Sequence, residues 1–463
     1  MKFCLLLALL RAFTTALPLN EEVAVSADTE ALDVQYYNSD TESEWLPTGL
    51  NPSLGILHQV LVRLGQRKES SLSATLELLD KYIPSRGLNI EFSYLGEFEN
   101  STSIKHTMTS FEGLKSKLDA NANLSANSPR PMTIPAANAY IYAGSHSEAP
   151  KVLLVSFIGD DWGHDSPLAG PYVSPASIVP YYKDVDRIYG TGAASWKSSV
   201  ATMIHTMERL VKLRKIAPED LGVLLVAGDG SDPRPLMHAS KLFEDKLPAA
   251  IIIGEASENR LLIGQKGFLW AGVKTYTDTD KHMFSFMNKG NAVSTMVKLL
   301  RRLETLRLSR SRILGNPTTT ISYMTSGIGR DEVAESAESF FSVRIPAGFN
   351  SAVKKINSIF SGSKLVEYSV KSLHPPLIFV NDIPSMKKDI SGSSIDYTPL
   401  IYPERNDRPV LYAYGPGNLN QANTDHEYIN RVSLVQAASD YEYIILHALK
   451  THYHNFNFRA IQS

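Results

Sequence analysis

Four apolar runs bounded by turn residues set the pattern of the middle of this sequence: Ala139 to Ala143, Val152 to Ile158, Val223 to Ala227 and Ala250 to Ile253. Each is apolar almost throughout, which marks a strand covered on both faces; a half-exposed strand would alternate with polar residues. A helical stretch, Ser195 to Leu213, separates the second run from the third, with Val200, Ile204, Met207 and Val211 on one face. Buried runs interleaved with amphipathic helices predict an α/β fold, a largely parallel sheet flanked by helices.

After Gly264 the rhythm changes. A strand (Gly267 to Thr275), a helix (Asn291 to Leu306), two strands (Thr318 to Ser322, Phe340 to Ile345) and a further helix (Ser351 to Phe360) follow. This β-α-β-β-α order predicts a small α+β layer inserted in the first domain. A length of 463 residues suits two domains better than one core. The α/β body is therefore expected over 51–265 and 377–463, with the insertion over 266–376. Helices are expected from Pro52 to about Leu79 and from about Ser433 to Lys450.

The N-terminus reads as an export signal. Met1-Lys2 precedes the apolar run Phe3 to Leu10, and Thr14-Thr15-Ala16 ends in a small residue, so 1–16 fits a cleaved signal peptide. The run falls short of the roughly 20 apolar residues that a bilayer span needs. Residues 17–50, with eight acidic residues, no basic one and no apolar period, read as a propeptide or flexible arm. The one cysteine, Cys4, lies inside the signal, so the mature chain would be held by its core without disulfides. Asn100 (N-S-T) and Asn123 (N-L-S) are acceptors for N-glycosylation on such a route. The expected location is extracellular. A net charge of -2 offers no reason to expect a nucleic acid or an anionic membrane as partner.

Several segments carry chemistry-like spacing. They are Val152-Leu153-Leu154-Val155-Ser156-Phe157-Ile158-Gly159; Arg187-Ile188-Tyr189-Gly190-Thr191-Gly192-Ala193-Ala194-Ser195-Trp196-Lys197; Leu224-Leu225-Val226-Ala227-Gly228-Asp229-Gly230; and Ile253-Gly254-Glu255-Ala256-Ser257 followed by Gln265-Lys266-Gly267. Tyr414-Gly415-Pro416-Gly417 and Ala422-Asn423-Thr424-Asp425-His426-Glu427 close the series. In order and spacing the set resembles the zinc metallopeptidase family of acetylornithine deacetylase, succinyl-diaminopimelate desuccinylase, aminoacylase and fungal secreted carboxypeptidases. The resemblance runs over most of the chain after residue 50, and it makes the insertion a lid or dimerisation domain.

That family hydrolyses amides at two zinc ions bridged by a carboxylate and a water. Zinc brings the pKa of bound water to about 7, and a glutamate acts as general base. The resemblance puts metal ligands at Phe157, Ser195, Gly230, Glu255 and Asn423, and of these only Glu255 is an ordinary zinc ligand. Asp229 stands at the general-base position, where a plain strand-ending loop is the other reading. Arg344 matches a lid arginine that binds the substrate carboxylate, or is a surface ion pair. His282 matches a lid histidine that helps bind substrate across a dimer, or is a surface residue. The resemblance thus implies a degenerate, catalytically inactive member that acts in binding, with no cofactor expected where the family holds zinc. The alternative is an active peptidase or amide hydrolase with an altered or metal-free site. A peptide or N-acyl amino acid is the expected ligand, with no nucleic acid or membrane partner and a possible homodimer through the lid.

Overall fold

The computed structural model describes residues 71–95, 107–108, 136–144, 149–159, 182–184, 186–228, 230, 233–277, 291–327, 333–393, 395–402, 406–422, 424 and 426–453. The expected signal peptide, acidic arm and both sequons lie outside them.

Seven strands build the main sheet: β1 (Asn89–Leu95), β2 (Thr107–Met108), β3 (Ala136–Tyr142), β4 (Val152–Ile158), β7 (Leu221–Ala227), β8 (Ala250–Gly254) and β16 (Val410–Tyr414). Their order is β16-β8-β4-β7-β3-β1-β2. The pairs from β16 to β7 are parallel, and those from β7 through β3 to β2 are antiparallel. The apolar run of β3 correctly signalled burial. It could not signal direction, because strands of either sense are covered on both faces here.

Every residue of β4, β7 and β8 is buried. Helix α1 (Ser71–Ser85) packs beside β1. Helix α2 (Trp196–Lys212) packs on β4 and against the C-terminal helix α6 (Arg431–Ala448). Two threonines of α2 are buried without cost to hydrogen bonding. Thr202 donates to the Ser198 carbonyl at 2.6 Å and Thr206 to the Thr202 carbonyl at 2.8 Å. The opposite face of the sheet carries helix α3 (Arg234–Ser240) and the segment from Ile395 to Leu400, packed on Val155, Phe157, Val226 and Ile253.

Two short sheets lie beside the main one. One joins β5 (Tyr182–Lys183), β6 (Arg187–Tyr189) and β17 (Tyr428–Asn430); the other joins β9 (Leu261–Gln265), β14 (Leu377–Ile378) and β15 (Lys388–Ser391). From β9 the chain runs directly into a four-stranded antiparallel sheet of order β11-β12-β10-β13. Its strands are β10 (Gly267–Tyr276), β11 (Thr318–Ser326), β12 (Ser336–Ile345) and β13 (Val366–His374). Burial alternates along β12, so only one face is packed. Helices α4 (Ala292–Glu304) and α5 (Phe349–Phe360) cover that face through Met296, Leu300, Leu303, Ile356 and Phe360. Asn291 caps α4, its side chain accepting from the Ser294 amide at 2.7 Å. The open face carries Phe268, Trp270, Phe340 and Tyr323, with ring centroids 6.2 Å apart for Trp270–Phe340 and 6.1 Å for Tyr323–Phe340.

Candidate functional site

In an open α/β sheet the loops at the carboxyl ends of parallel strands form the natural crevice for ligands. Here those ends are Phe157 to Gly159 on β4, Gly228 on β7, Glu255 after β8 and Gly415 after β16. Glu255 is pinned by its own backbone, whose amide donates to the Tyr414 carbonyl at 3.1 Å. A side chain at Gly415 would run into the Glu255 carbonyl, so the Gly-Pro-Gly turn needs glycine there for β8 and β16 to end side by side.

Glu255 is 0% exposed. Its carboxylate accepts hydrogen bonds from Ser391 Oγ at 2.9 Å, from Ser393 Oγ at 2.6 Å and from the Tyr397 hydroxyl. The two serine hydroxyls lie 3.1 Å from each other, and Ser393 Oγ also reaches Gln265 Oε1 at 3.0 Å. Gln265 in turn donates to the Ile395 carbonyl at 2.6 Å. Burial raises the Glu255 carboxyl above the ordinary carboxylate range, opposed by the bonds from Ser393, Tyr397 and Ser391 and by the charge of Arg344. Burial first, then the Glu255 charge, raises the Tyr397 phenol well above its ordinary value, so the phenol stays a donor.

Arg344, on β12, reaches the same segment. One terminal nitrogen donates to the Ser393 carbonyl and the other to the Gly392 carbonyl at 3.1 Å, while the guanidinium lies 4.9 Å above the Phe268 ring. Residues 391–397 are thus gripped twice, by an acid from the α/β body and by a base from the four-stranded sheet.

Phe157 is 1% exposed and packs edge-on against Trp196 (5.0 Å between centroids) and near Tyr397 (6.5 Å). Ser195 precedes α2 and its hydroxyl donates to the Gly192 carbonyl at 3.3 Å. Gly230 has φ +84°, and a Cβ built on it would fall 2.8 Å from Cδ1 and Cγ1 of Ile395. Asp229, Asn423 and His282 lie outside the described residues. The structure therefore brings Phe157, Ser195, Gly230 and Glu255 to one end of the sheet, and reaches that end with Arg344 through the 391–397 segment. Among the described residues no three His, Cys, Asp or Glu side chains converge as metal ligands do.

The residues that complete the site, Ser391, Ser393, Ile395 and Tyr397, lie outside the spaced segments, and only their packing around Glu255, Phe157 and Gly230 reveals them. Trp196 lies within those segments, and so does Glu427. It is buried, and its carboxylate accepts from the amides of Gly192 and Ala194, each at 2.9 Å. Lys197 donates to the Thr191 carbonyl at 2.8 Å from the other side. Together they hold the turn that presents Ser195.

An α/β body with its crevice at the strand ends, carrying a separate four-stranded sheet capped by two helices, is the architecture of a class of metallopeptidases. No family model matches the chain. A peptidase M20 domain-containing protein of Schizosaccharomyces pombe is 28% identical over 320 residues, covering 68% of this chain and 73% of that protein. A probable carboxypeptidase of Aspergillus flavus is 27% identical over 335 residues, covering 67% and 78%. Among solved structures, human carnosine dipeptidase 1 aligns with a TM-score of 0.54 at 13% identity over 86% of this chain and 97% of that one. A dinuclear metal-binding peptidase of the M20 family from Bacillus subtilis aligns with a TM-score of 0.51 at 9% identity, over 86% and 98%. At such identities the structural likeness is one of fold. The chain is thus homologous to M20 peptidases and has their fold.

Proposed function

We propose that this protein is an exported, catalytically inactive relative of the M20 peptidases that acts by binding a peptide or an N-acyl amino acid. The observation that carries this reading is the enclosure of Glu255. Its carboxylate is fully buried, and hydroxyls of Ser391, Ser393 and Tyr397 already take three of its roughly four acceptor positions, where a zinc ligand would face an open coordination site. The other positions do not fit zinc either. Phe157 and Gly230 supply no donor atom, Ser195 supplies a neutral hydroxyl, and Ile395 stands where a side chain at position 230 would go.

Recognition falls instead to the open face of the four-stranded sheet. Arg344, which the resemblance matches to a lid arginine, has its terminal nitrogens on backbone carbonyls, which leaves Phe268, Trp270, Phe340 and Tyr323 as a half-buried aromatic face beside it. Such rings supply large apolar contact with few rotamers to freeze.

The test combines metal and ligand. A metal that binds only the folded state stabilises it by about 2.7 kcal/mol at a hundredfold excess over Kd. The expected result is no change of Tm with zinc or chelator, no stoichiometric zinc in protein purified without chelator, and calorimetric binding of N-acyl aromatic amino acids weakened by Trp270→Ala. Zinc-dependent stabilisation with amide hydrolysis would defeat the inactive reading.

A further inference from the structure

The chain as a whole is slightly acidic, yet residues 298–312 hold six cations, Lys298, Arg301, Arg302, Arg307, Arg310 and Arg312, against Glu304 alone. That segment carries +5, leaving -7 for the rest of the chain (-2 minus 5). All six cations are exposed. None is in an ion pair among the described residues, where other basic groups find partners: Lys151 with Asp220, Lys212 with Glu208, Arg260 with Asp389, and Arg209 and Lys215 with Glu442.

The fold fixes these cations in place. Met296, Leu299, Leu300 and Leu303 point α4 into the core, so Lys298, Arg301 and Arg302, at i, i+3 and i+4, share its outer face. A basic residue near a helix C-terminus offsets the helix dipole, which gives Arg301 and Arg302 a structural role. It gives none to Arg307, Arg310 and Arg312. Those three sit on the loop leading to β11, where Leu306 and Leu308 pack on the core and Leu314 is 1% exposed. Ser311 and Gly315 exchange backbone hydrogen bonds at 2.9 and 3.1 Å, and Ser311 Oγ accepts from the amides of Ile313 and Leu314 at 3.2 and 3.1 Å. Apolar residues anchor the loop while its arginines face water.

We infer that this track is a binding surface for a linear sulfated polysaccharide. Its cations succeed one another along the outer face of α4 and then along the loop, at most roughly 18 Å from Arg307 to Arg312. A linear polyanion can follow such a path. Five of the six are arginine, whose planar guanidinium forms paired hydrogen bonds with the oxygens of an oxyanion. Single-stranded nucleic acid would call for aromatic side chains on which bases stack. There is none between Val297 and Pro317. A membrane surface would call for an apolar face to insert. Only the isolated side chains of Val297 and Ile313 stand exposed here. An exported chain would meet sulfated polysaccharides outside the cell, but the surface itself stands whether or not the M20-like crevice binds anything.

The experiment is chromatography of the full chain on immobilised heparin, with the triple variant Arg307→Glu/Arg310→Glu/Arg312→Glu and a control, Lys364→Glu/Lys371→Glu, on exposed positions elsewhere. The expected result is retention of the parent and the control at about 0.15 M salt and loss of retention in the triple variant, with unchanged Tm in all three. The logarithm of affinity for a polyanion falls by roughly one unit per neutralised charge for each tenfold rise in salt, so the slope measured for the triple variant at lower salt should be shallower than the parent's by about three or more. No retention of the parent, or equal retention of the triple variant, overturns the inference. So does an equal loss in the control, or stronger capture by single-stranded DNA or by phosphatidylserine vesicles than by heparin.

Discussion

Replacing Glu255 by alanine removes the shared acceptor of three buried hydroxyls at once. A buried polar group left without a partner costs about 1–3 kcal/mol. Ser391 and Ser393 retain each other, and Ser393 retains Gln265, so their losses sit at the low end. Tyr397, fully buried, loses its acceptor outright. Adding the space vacated beside Tyr397, the expected destabilisation of Glu255→Ala is about 3–5 kcal/mol. Glu255→Gln preserves the shape, and the rotatable hydroxyls can donate to its carbonyl and accept from its amide; the expected cost at neutral pH is ~1 kcal/mol or less. The pH dependence separates the two further. Because the folded-state carboxyl is raised, the native chain holds a proton that the unfolded chain has released, so this group's contribution is full below the ordinary carboxylate range and is lost as pH rises through the folded-state value. Urea unfolding of the parent and both variants between pH 4 and pH 8 would read this, with the Gln variant lacking that component. If Glu255→Gln proves as damaging as Glu255→Ala and releases a divalent metal, Glu255 is a metal ligand and the reasoning fails.

Other outcomes follow from the same geometry. Gly230→Glu should destabilise by about 1–3 kcal/mol, since it forces a side chain onto Ile395 at a positive φ, and Ile395→Gly in the same chain should recover part of that loss in thermal melts. Burial lowers the imidazole pKa of both His205 and His238, so the native state binds fewer protons than the unfolded one and stability falls as pH drops below about 6.5. His205→Gln or His238→Gln should reduce that slope in denaturant titrations, and an unchanged slope in both would remove histidine from the account. Mass spectrometry of protein recovered outside the cell should find a chain starting near Leu17 with glycans at Asn100 and Asn123, and an intact Met1 on cytosolic protein would contradict export.

The body of the fold was legible because burial writes itself into composition. The run Val152 to Ile158 became β4 at the same limits, and the helix read from Ser195 to Leu213 spans Trp196–Lys212. The helix read from Asn291 to Leu306 spans Ala292–Glu304, with the Asn291 side chain capping its start. What the pattern could not carry was partnership across distance. Nothing about Ser391, Ser393 and Tyr397 in the linear sequence says that they face Glu255, because a hydroxyl is as common in a loop as in a buried network. The same holds for Ile395 filling the space above Gly230, which follows from where the returning chain crosses β7. The net charge of -2 likewise concealed the basic track, because a sum over the whole chain has no position.

The grip on residues 391–397 also bears on the order in which the molecule assembles. Glu255 and Tyr397 are separated by 142 positions, and β8 gains its outer neighbour β16 only when residues 410–414 arrive. Contacts of such long separation form late, after the entropy of closing the intervening chain has been met. During synthesis a nascent chain that has exposed β4, β7 and β8 therefore holds a half-covered sheet, with Phe157 lacking Tyr397 and β8 presenting a free edge. The four-stranded sheet, whose strands and helices all fall within residues 267–374, can close on itself while the body waits. Truncation just before residue 391 should leave this inner module folded inside an otherwise unfinished protein, open to chaperones along the edge that β16 normally covers.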